Sequence, residues 1–271
     1  MLKLMYITND PQIARTAVDA GVDRIFIDTE VLGKEARQGH LDSVKSHHKI
    51  SDCLAVREAV GNRAQVLIRL NPFYSGTKDE VCQALDCGAD LIMLPMWKTV
   101  REVEKFCSYV SGKAIAMPLL ETKEADAVLE QVMDLRCIDE LYIGLNDLHL
   151  SYGRRFMFEL LADGTVDRLC SLASSYGIPY GFGGVGRPGS GHVPANDIIG
   201  EHYRLGSGCV ILSRQFCKNP SGLSLDEILR QGIRDIRKRE TEISSWTEAD
   251  FRSNKKNVFD AVQQVLEGLG R

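Results

Sequence analysis

The sequence predicts an α/β protein, a (β/α)8 TIM barrel with an extra C-terminal helix. Three observations lead there. Eight short apolar runs succeed one another between residues 3 and 213, the segments between them carry helical periodicity, and several runs open with the same punctuation. That punctuation is a helix-like segment, a glycine or equivalent break, an acidic or small residue, then an apolar burst. Strands that are apolar on both faces and alternate with helices belong to a parallel sheet covered by helices. Eight such units in about 220 residues fit a closed barrel better than an open doubly wound sheet.

In chain order the runs are KLMYI (3–7), AGVDRIFID (20–28), QVLIRL (65–70) and CGADLIMLP (87–95), then AIAMPLL (114–120), RCIDELYIG (136–144), GIPYGF (177–182) and LGSGCVILS (205–213). The glycine ahead of a burst fits a helix C-cap that turns the chain into the next strand. TVREVEKFCSYV (99–110) and TKEADAVLEQVMDL (122–135) read as helices between strands. An open dinucleotide-binding sheet would carry G-x-G-x-x-G straight after its first strand, where this chain reads TNDPQIAR.

Beyond Ser224 the chain is charged and helical, with one helix over about 224–242, a break at SSW (244–246) and a second helix over 247–268. The organisation expected is a catalytic barrel over 1–245 and a helical extension over 246–271. The barrel needs only one of the two helices. The second repeats Phe251, Val258, Phe259, Val262, Val265, Leu266 and Leu269 on one stripe, with no vacancy in a regular helix ring. It is expected either to cap a barrel end or to be exchanged between subunits of a homo-oligomer.

Composition narrows the function. The 271 residues are 44% hydrophobic and 26% charged, with a net charge of −4 spread along the chain. No basic stripe marks a nucleic-acid partner. No apolar stretch approaches the length of a membrane span, and MLKLMYITND lacks a leader layout, so a cytoplasmic protein is expected. The eight cysteines form no C-x-x-C pair and read as small buried hydrophobes in a reducing compartment.

In such a barrel the C-terminal strand ends carry the chemistry. The polar residues falling there are Asp28 and Glu30, Arg69 and Asn71, Glu121, Asn146 and Asp147, and Ser213 and Arg214. Two carboxylates from neighbouring strands, Glu121 and Asp147, make a hard oxygen site suited to Mg²⁺ or Mn²⁺, which is often held by one or two carboxylates plus ligand oxygens and water. The alternative is a pair of solvated loop acids. Arg69 closes an apolar strand and needs a partner, either a carboxylate ligand or Asp28 or Glu30 nearby. The loop GFGGVGRPGSGHVP (181–194) has the glycines to lay amides on an anion or to act as a lid.

MPLLETKEA followed by DELYIGLNDLHLSYG resembles the HpcH/HpaI aldolase and citrate lyase β-subunit family of phosphoenolpyruvate/pyruvate-binding barrels, whose pattern is E-T at one strand end and hhIGxxDLxxSxG at the next. RIFIDTE, VLIRLN and LDCGADLIMLPM match its earlier strands in order, and the resemblance runs over roughly residues 5–215. It implies that Glu121 and Asp147 hold a divalent metal and that Arg69 contacts the keto oxygen of bound pyruvate and stabilises its enolate. It also implies that the backbone at Gly144, Asn146 and Asp147 takes the pyruvate carboxylate. Val31 stands where the family's pyruvate aldolases usually carry a histidine, and Leu119 where they tend to carry a glutamine. His47 and His48 of SVKSHHK (43–49) are candidates to replace the histidine, and His149 is either a neighbour of the metal site or a core residue.

The expected function is that of a metal-dependent lyase of the class II pyruvate aldolase type, an aldehyde-lyase cleaving or forming a 4-hydroxy-2-keto acid from pyruvate and an aldehyde. Arg69 and Asp28 are the expected catalytic residues, an oxaloacetate-like acid is a related substrate, and the expected assembly is a trimer or hexamer. The alternatives are a lyase for a malyl-, citramalyl- or citryl-CoA thioester, or a barrel that binds a keto acid without turning it over.

Overall fold

The structure is a computed structural model that describes residues 1–33, 48–218 and 222–269. All eight apolar runs are strands: β1 (Lys3–Ile7), β2 (Arg24–Asp28), β3 (Gln65–Arg69), β4 (Leu91–Leu94), β5 (Ile115–Leu120), β6 (Leu141–Ile143), β7 (Tyr180–Val185) and β8 (Cys209–Leu212). They hydrogen-bond in sequence order into a closed parallel barrel, the predicted fold.

The helices described are α1 (Pro11–Asp19), α2 (Asp52–Val60), α3 (Thr77–Asp86), α4 (Val100–Val110), α5 (Lys123–Ala127), α6 (Leu129–Asp134), α7 (Leu145–Ser151), α8 (Glu159–Ala162), α9 (Thr165–Ser175), α10 (Ala195–Arg204), α11 (Leu225–Ile243) and α12 (Glu248–Leu269). Their starts are written in side chains. Asp10 caps two amides of α1 with Pro11 in the first turn, and Thr99 with Glu102 and Ser224 with Glu227 close reciprocal capping boxes on α4 and α11. Their ends use left-handed residues. Gly88 and Gly206 turn the chain toward β4 and β8 at φ +83° and +69°, and Arg136 takes that conformation at +52° ahead of β6, where no glycine is available. The segment 122–135, expected as one helix, is two. Val128 leaves helical geometry at φ −115°, and its amide closes a tighter bond to the Ala125 carbonyl.

By packing the chain forms two units, Met5–Tyr142 and Met1–Leu4 with Ile143–Arg271. In the first unit every residue of β2 is buried and pairs in register with β3, from Arg24 beside Gln65 to Asp28 beside Arg69. Ile25, Phe26 and Ile27 each contribute about 1.5–3 kcal/mol by leaving water. The strand begins, however, with a fully buried arginine. Arg24 donates through Nη1 and Nη2 to the two oxygens of Glu140, at 2.7 and 2.8 Å, and through Nε to Gln65 at 2.9 Å. Glu140 sits just ahead of β6, far from β2 in the strand order, so this ion pair spans the N-terminal end of the barrel interior.

In the second unit α12, the helix of the expected 246–271 extension, lies against α8 and α10 of its own chain. Its stripe divides. Val258 and Val262 are buried, as is Asn254 one turn earlier, while Phe259 and Leu269 are exposed. The approach to α10 is close because Gly200 has no side chain: a Cβ there would stand 2.6 Å from Asn254 Oδ1. Asn254 fills the space and donates to the Asp197 carbonyl at 3.0 Å and to Glu201 Oε1 at 2.9 Å, and Lys255 pairs with Asp167 at 2.8 Å. The two buried valines of the stripe, Val258 and Val262, are covered within this chain.

Two outcomes follow from buried charge and polarity. Glu140→Ala leaves the Arg24 guanidinium buried without its carboxylate and is expected to cost about 3–5 kcal/mol in urea unfolding, whereas the double change Arg24→Met with Glu140→Leu recovers most of it. A loss below about 1 kcal/mol in the single variant would show that the pair is not the barrel's floor.

His202 is fully buried, stacked on Phe182 with ring centroids 3.9 Å apart and bonded through Nδ1 to Ser207 Oγ at 2.8 Å, while its Nε2 has no partner. Burial pushes its pKa down to about 3 from 6.5. As pH falls below about 6.5 the unfolded chain therefore takes a proton that the folded chain refuses. The contribution of His202 to stability is complete above about 6.5 and declines toward 3 by about 1.4 kcal/mol per pH unit. His202→Phe should flatten the stability–pH slope in that window, and an unchanged slope would reassign it.

Candidate active site

The sequence candidates on β2, β3 and β5 belong to the first unit, and there the structure brings them together. Strand register sets Asp28 beside Arg69. Arg69 donates through Nε to Asp28 Oδ1 and through Nη2 to Asp28 Oδ2, both at 2.9 Å, and Nη2 stands 3.4 Å from Glu30 Oε2. The Phe26 ring lies under the guanidinium, 5.6 Å from its carbon. Burial alone would lower the arginine's pKa. Asp28 and Glu30, with Glu121 also acting on it, outweigh that and hold it above its ordinary value, so Arg69 is a permanent cation. Of the two partners that the sequence left open for Arg69, the structure shows Asp28 and Glu30. The carboxylate takes one edge of the fork, Nε with Nη2, and Nη1 is turned away from that bidentate pair.

Glu121 follows β5 and is buried. One of its oxygens, Oε1, accepts the Met96 amide at 3.0 Å. Met96 follows β4 in a left-handed conformation, φ +53°, which a methionine adopts only at a cost of about 1–3 kcal/mol. The next residue is locked as well, since Thr122 Oγ1 donates to the carbonyl of the fully buried Trp97 at 3.1 Å. A strained backbone thus fixes the orientation of a buried carboxylate.

The loop after β2 is held from β3. Asn71 Oδ1 accepts the amides of Val31 and Leu32, each at 2.9 Å, and Asn71 Nδ2 donates to Glu80 Oε1 at 2.6 Å. His48 lies beside the site: its Nδ1 accepts the Asp28 amide at 3.1 Å, which puts the proton of the neutral ring on Nε2. His47, the other histidine candidate, lies outside the described residues. Val31, at the family's histidine position, is exposed.

Gly144, Asn146 and Asp147 belong to the second unit. The sequence put Asp147 at a strand end. The structure starts a helix there, with Gly144 as N-cap and Leu145, Asn146 and Asp147 in the first turn of α7, whose amides have no acceptor inside the helix. Leu145 anchors that turn by lying over Gly183 of β7, where a Cβ would come within 2.8 Å of Leu145 Cδ1 and where φ is +54°. Glycine at 183 thus leaves room for the Leu145 side chain and takes a φ that other residues rarely adopt. His149 is a core residue: buried, it donates from Nδ1 to the Leu145 carbonyl at 3.1 Å. In the glycine-rich loop after β7, Arg187 donates to the Lys218 carbonyl at 3.0 Å, and the Ser213 amide, after β8, donates to the Val185 carbonyl at 2.9 Å. Arg214 is exposed at the start of a 3₁₀ turn (Arg214–Cys217) that buries Phe216.

Reading the sequence missed Met96 and Glu80. Met96 acts through its backbone amide, so its residue type carries no signal. Glu80 sits in the first turn of α3 and looks like any helix-start acid. Among the described residues no three His, Cys, Asp or Glu side chains gather into a ready-made metal cage. The donors at these strand ends are carboxylates, hard oxygen ligands that suit a small divalent cation completed by water and ligand oxygens rather than a soft metal.

A closed parallel barrel with acid and arginine at its C-terminal strand ends defines a (β/α)8 protein of the enzyme type. The family model for HpcH/HpaI aldolase/citrate lyase matches residues 3–156, a stretch that contains Asp28, Arg69, Glu121, Gly144, Asn146 and Asp147. The chain belongs to the HpcH/HpaI aldolase/citrate lyase family. Solved structures agree on the fold. An HpcH/HpaI aldolase from Desulfitobacterium hafniense DCB-2 superposes with a TM-score of 0.62 at 15% identity over 87% of this chain and 93% of its own. An HpcH/HpaI aldolase/citrate lyase family protein from Burkholderia cenocepacia J2315 gives 0.61 at 14% over 90% and 95%. The citrate synthase SbnG gives 0.58 at 14% over 88% and 93%. No curated protein matches the chain. Among the described residues no helix is long and apolar enough to cross a membrane.

Proposed function

We propose that the chain is a metal-dependent carbon–carbon lyase that joins pyruvate, or an oxaloacetate-like acid, to an aldehyde, and cleaves the resulting 4-hydroxy-2-keto acid. The observation that carries this reading is the Arg69 group: a permanent guanidinium at a strand end, clamped along one edge by Asp28, with Glu30 beside it and Glu121 in its field. The family supplies the rest. Its pattern assigns Glu121 and Asp147 to a divalent metal, Mg²⁺ or Mn²⁺, and both offer the oxygen donors such an ion takes. When bound, the ion supplies Lewis-acid polarisation of the keto oxygen.

The protein's own part is electrostatic and positional. Arg69 offers Nη1 to the keto oxygen, where negative charge grows as the enolate forms, and the Asp28 clamp keeps the fork from turning away. Met96 holds one oxygen of Glu121, which directs the other. The first-turn amides at Asn146 and Asp147, after Gly144, take the substrate carboxylate. Both Asp28 oxygens are engaged by Arg69, so Asp28 works on the hydroxyl proton through water, with the His48 Nε2–H as the adjoining donor. The same reading makes the enzyme a cytoplasmic homo-oligomer, a trimer or hexamer, which light scattering reads directly.

The test is enolisation of pyruvate without any aldehyde. In deuterated water with Mn²⁺ the intact protein should exchange the pyruvate methyl protons, and a chelator should stop it. Glu121→Ala should abolish exchange while keeping the native circular dichroism, because this residue serves the site more than the core. Arg69→Ala should slow exchange by roughly 10²–10³, the usual worth of one contact to developing oxyanion charge. Full exchange in Glu121→Ala with chelator present would end the metal assignment, and a change below about threefold in Arg69→Ala would leave Arg69 as a structural ion-pair partner. No exchange by the intact protein under any metal would mark a ligand-binding barrel.

A further inference from the structure

Among the described residues of the first unit, four large apolar side chains are exposed, and three of them stand at C-terminal strand ends. Val31 and Leu32 follow β2 at 55% and 46% exposure, and Tyr74 follows β3 at 39%; the fourth is Leu54 on α2. None of the three is loose. Thr29 starts the turn by donating its amide and Oγ1 to the Arg69 carbonyl, at 3.1 and 2.6 Å. Asn71 Oδ1 then takes the Val31 and Leu32 amides, while Asn71 Nδ2 and Tyr74 Oη donate to the same Glu80 oxygen, at 2.6 and 3.0 Å. The Tyr74 amide donates to Oγ1 of the fully buried Thr77 at 2.9 Å, and its ring lies on Gly76, where a Cβ would come within 2.6 Å of the ring carbon Cζ. One Asn71–Glu80 bracket therefore holds all three residues beside the strands that end in Asp28 and Arg69.

Apolar surface kept in water gains nothing from burial, so a polar network that fixes it there serves contact with another molecule. A wall already fixed costs little further ordering when a ligand lies against it. Its chemistry selects the ligand. Asp28 and Glu30 outnumber the Arg69 cation they pair with, which disfavours a carboxylate or phosphate on the incoming molecule. The Val31 and Leu32 side chains offer a hydroxyl no hydrogen bond, and the Tyr74 hydroxyl proton is taken by Glu80. We infer, on the lyase reading above, that Val31, Leu32 and Tyr74 determine specificity for the second substrate, and that this substrate is an aldehyde carrying an apolar chain or ring. Asn71 and Glu80 are the positioning residues of that wall, acting through the turn amides and the Tyr74 hydroxyl.

The experiment uses the intact protein with Mn²⁺ and two readouts. Methyl-proton exchange of pyruvate in deuterated water, with no aldehyde present, reports the pyruvate half-reaction. Mass spectrometry then gives kcat/KM for joining pyruvate to hexanal, to 6-oxohexanoate of the same length, and to glycolaldehyde. Hexanal should exceed both others by about tenfold or more, the usual discrimination of an apolar contact. In Leu32→Ser and Tyr74→Ser the ratio of kcat/KM for hexanal to that for glycolaldehyde should fall roughly tenfold, mainly through KM, and in Leu32→Met it should stay near native. Exchange by the intact protein with hexanal no better than 6-oxohexanoate or glycolaldehyde would overturn this assignment and leave the lyase reading standing. A native ratio in both serine variants would do the same. Absence of exchange under any metal would overturn the lyase reading and this assignment with it.

Discussion

A fully buried guanidinium at the start of β2 constrains the rest of this barrel. Arg24 cannot reach water, and an arginine does not discard its charge, so its position is tolerable only while Glu140 meets it along both nitrogens and Gln65 takes the third donor. Those partners come from the adjoining strand and from the far side of the barrel. Satisfying one charge therefore fixes the height of β2 against β3 and against the entry to β6. Hydrophobic residues of similar volume would fill the space, but they would not specify which strand height is correct.

The same strand ends in the opposite charge. Four residues after Arg24, Asp28 ends the strand, still buried, and meets Arg69 in the same register. One strand thus carries a cation at the stable face and an anion at the working face. What surrounds Asp28 and Arg69 is built more from backbone than from side chains. The Met96 amide holds Glu121, the Asp28 amide orients His48, and the Asn71 side chain gathers two loop amides. Backbone donors have little freedom once the strands are set, so they hold a carboxylate or an imidazole at smaller entropic cost than long side chains would.

In the second unit small residues decide where helices sit. Gly200 lets α12 approach α10 closely enough for Asn254 to reach both Glu201 and the Asp197 carbonyl, and Gly183 lets Leu145 seat the start of α7. A methyl group at either point would meet the side chain of Asn254 or of Leu145 closer than 3.0 Å and force it to shift. The helix whose Leu145 packs over Gly183 carries Asn146 and Asp147 in the same first turn.

The sequence by itself determined the strands, their order, most of the helices and the strand-end positions of Asp28, Arg69 and Glu121. Those depend on periodicity, caps and breaks within a dozen residues, and such local preferences survive in any environment that buries the apolar face. The tertiary structure alone decided the partners. Arg69 pairs with Asp28 across 41 positions because register puts them side by side, and Arg24 meets Glu140 across 116. Of two histidines near the candidate acids, His48 approaches Asp28 while His149 turns back to its own helix. The break at Val128 and the Met96 amide were equally invisible. A pairing between distant residues is set by strand register and by which side chains are small enough to allow approach, and neither leaves a trace in the neighbouring letters.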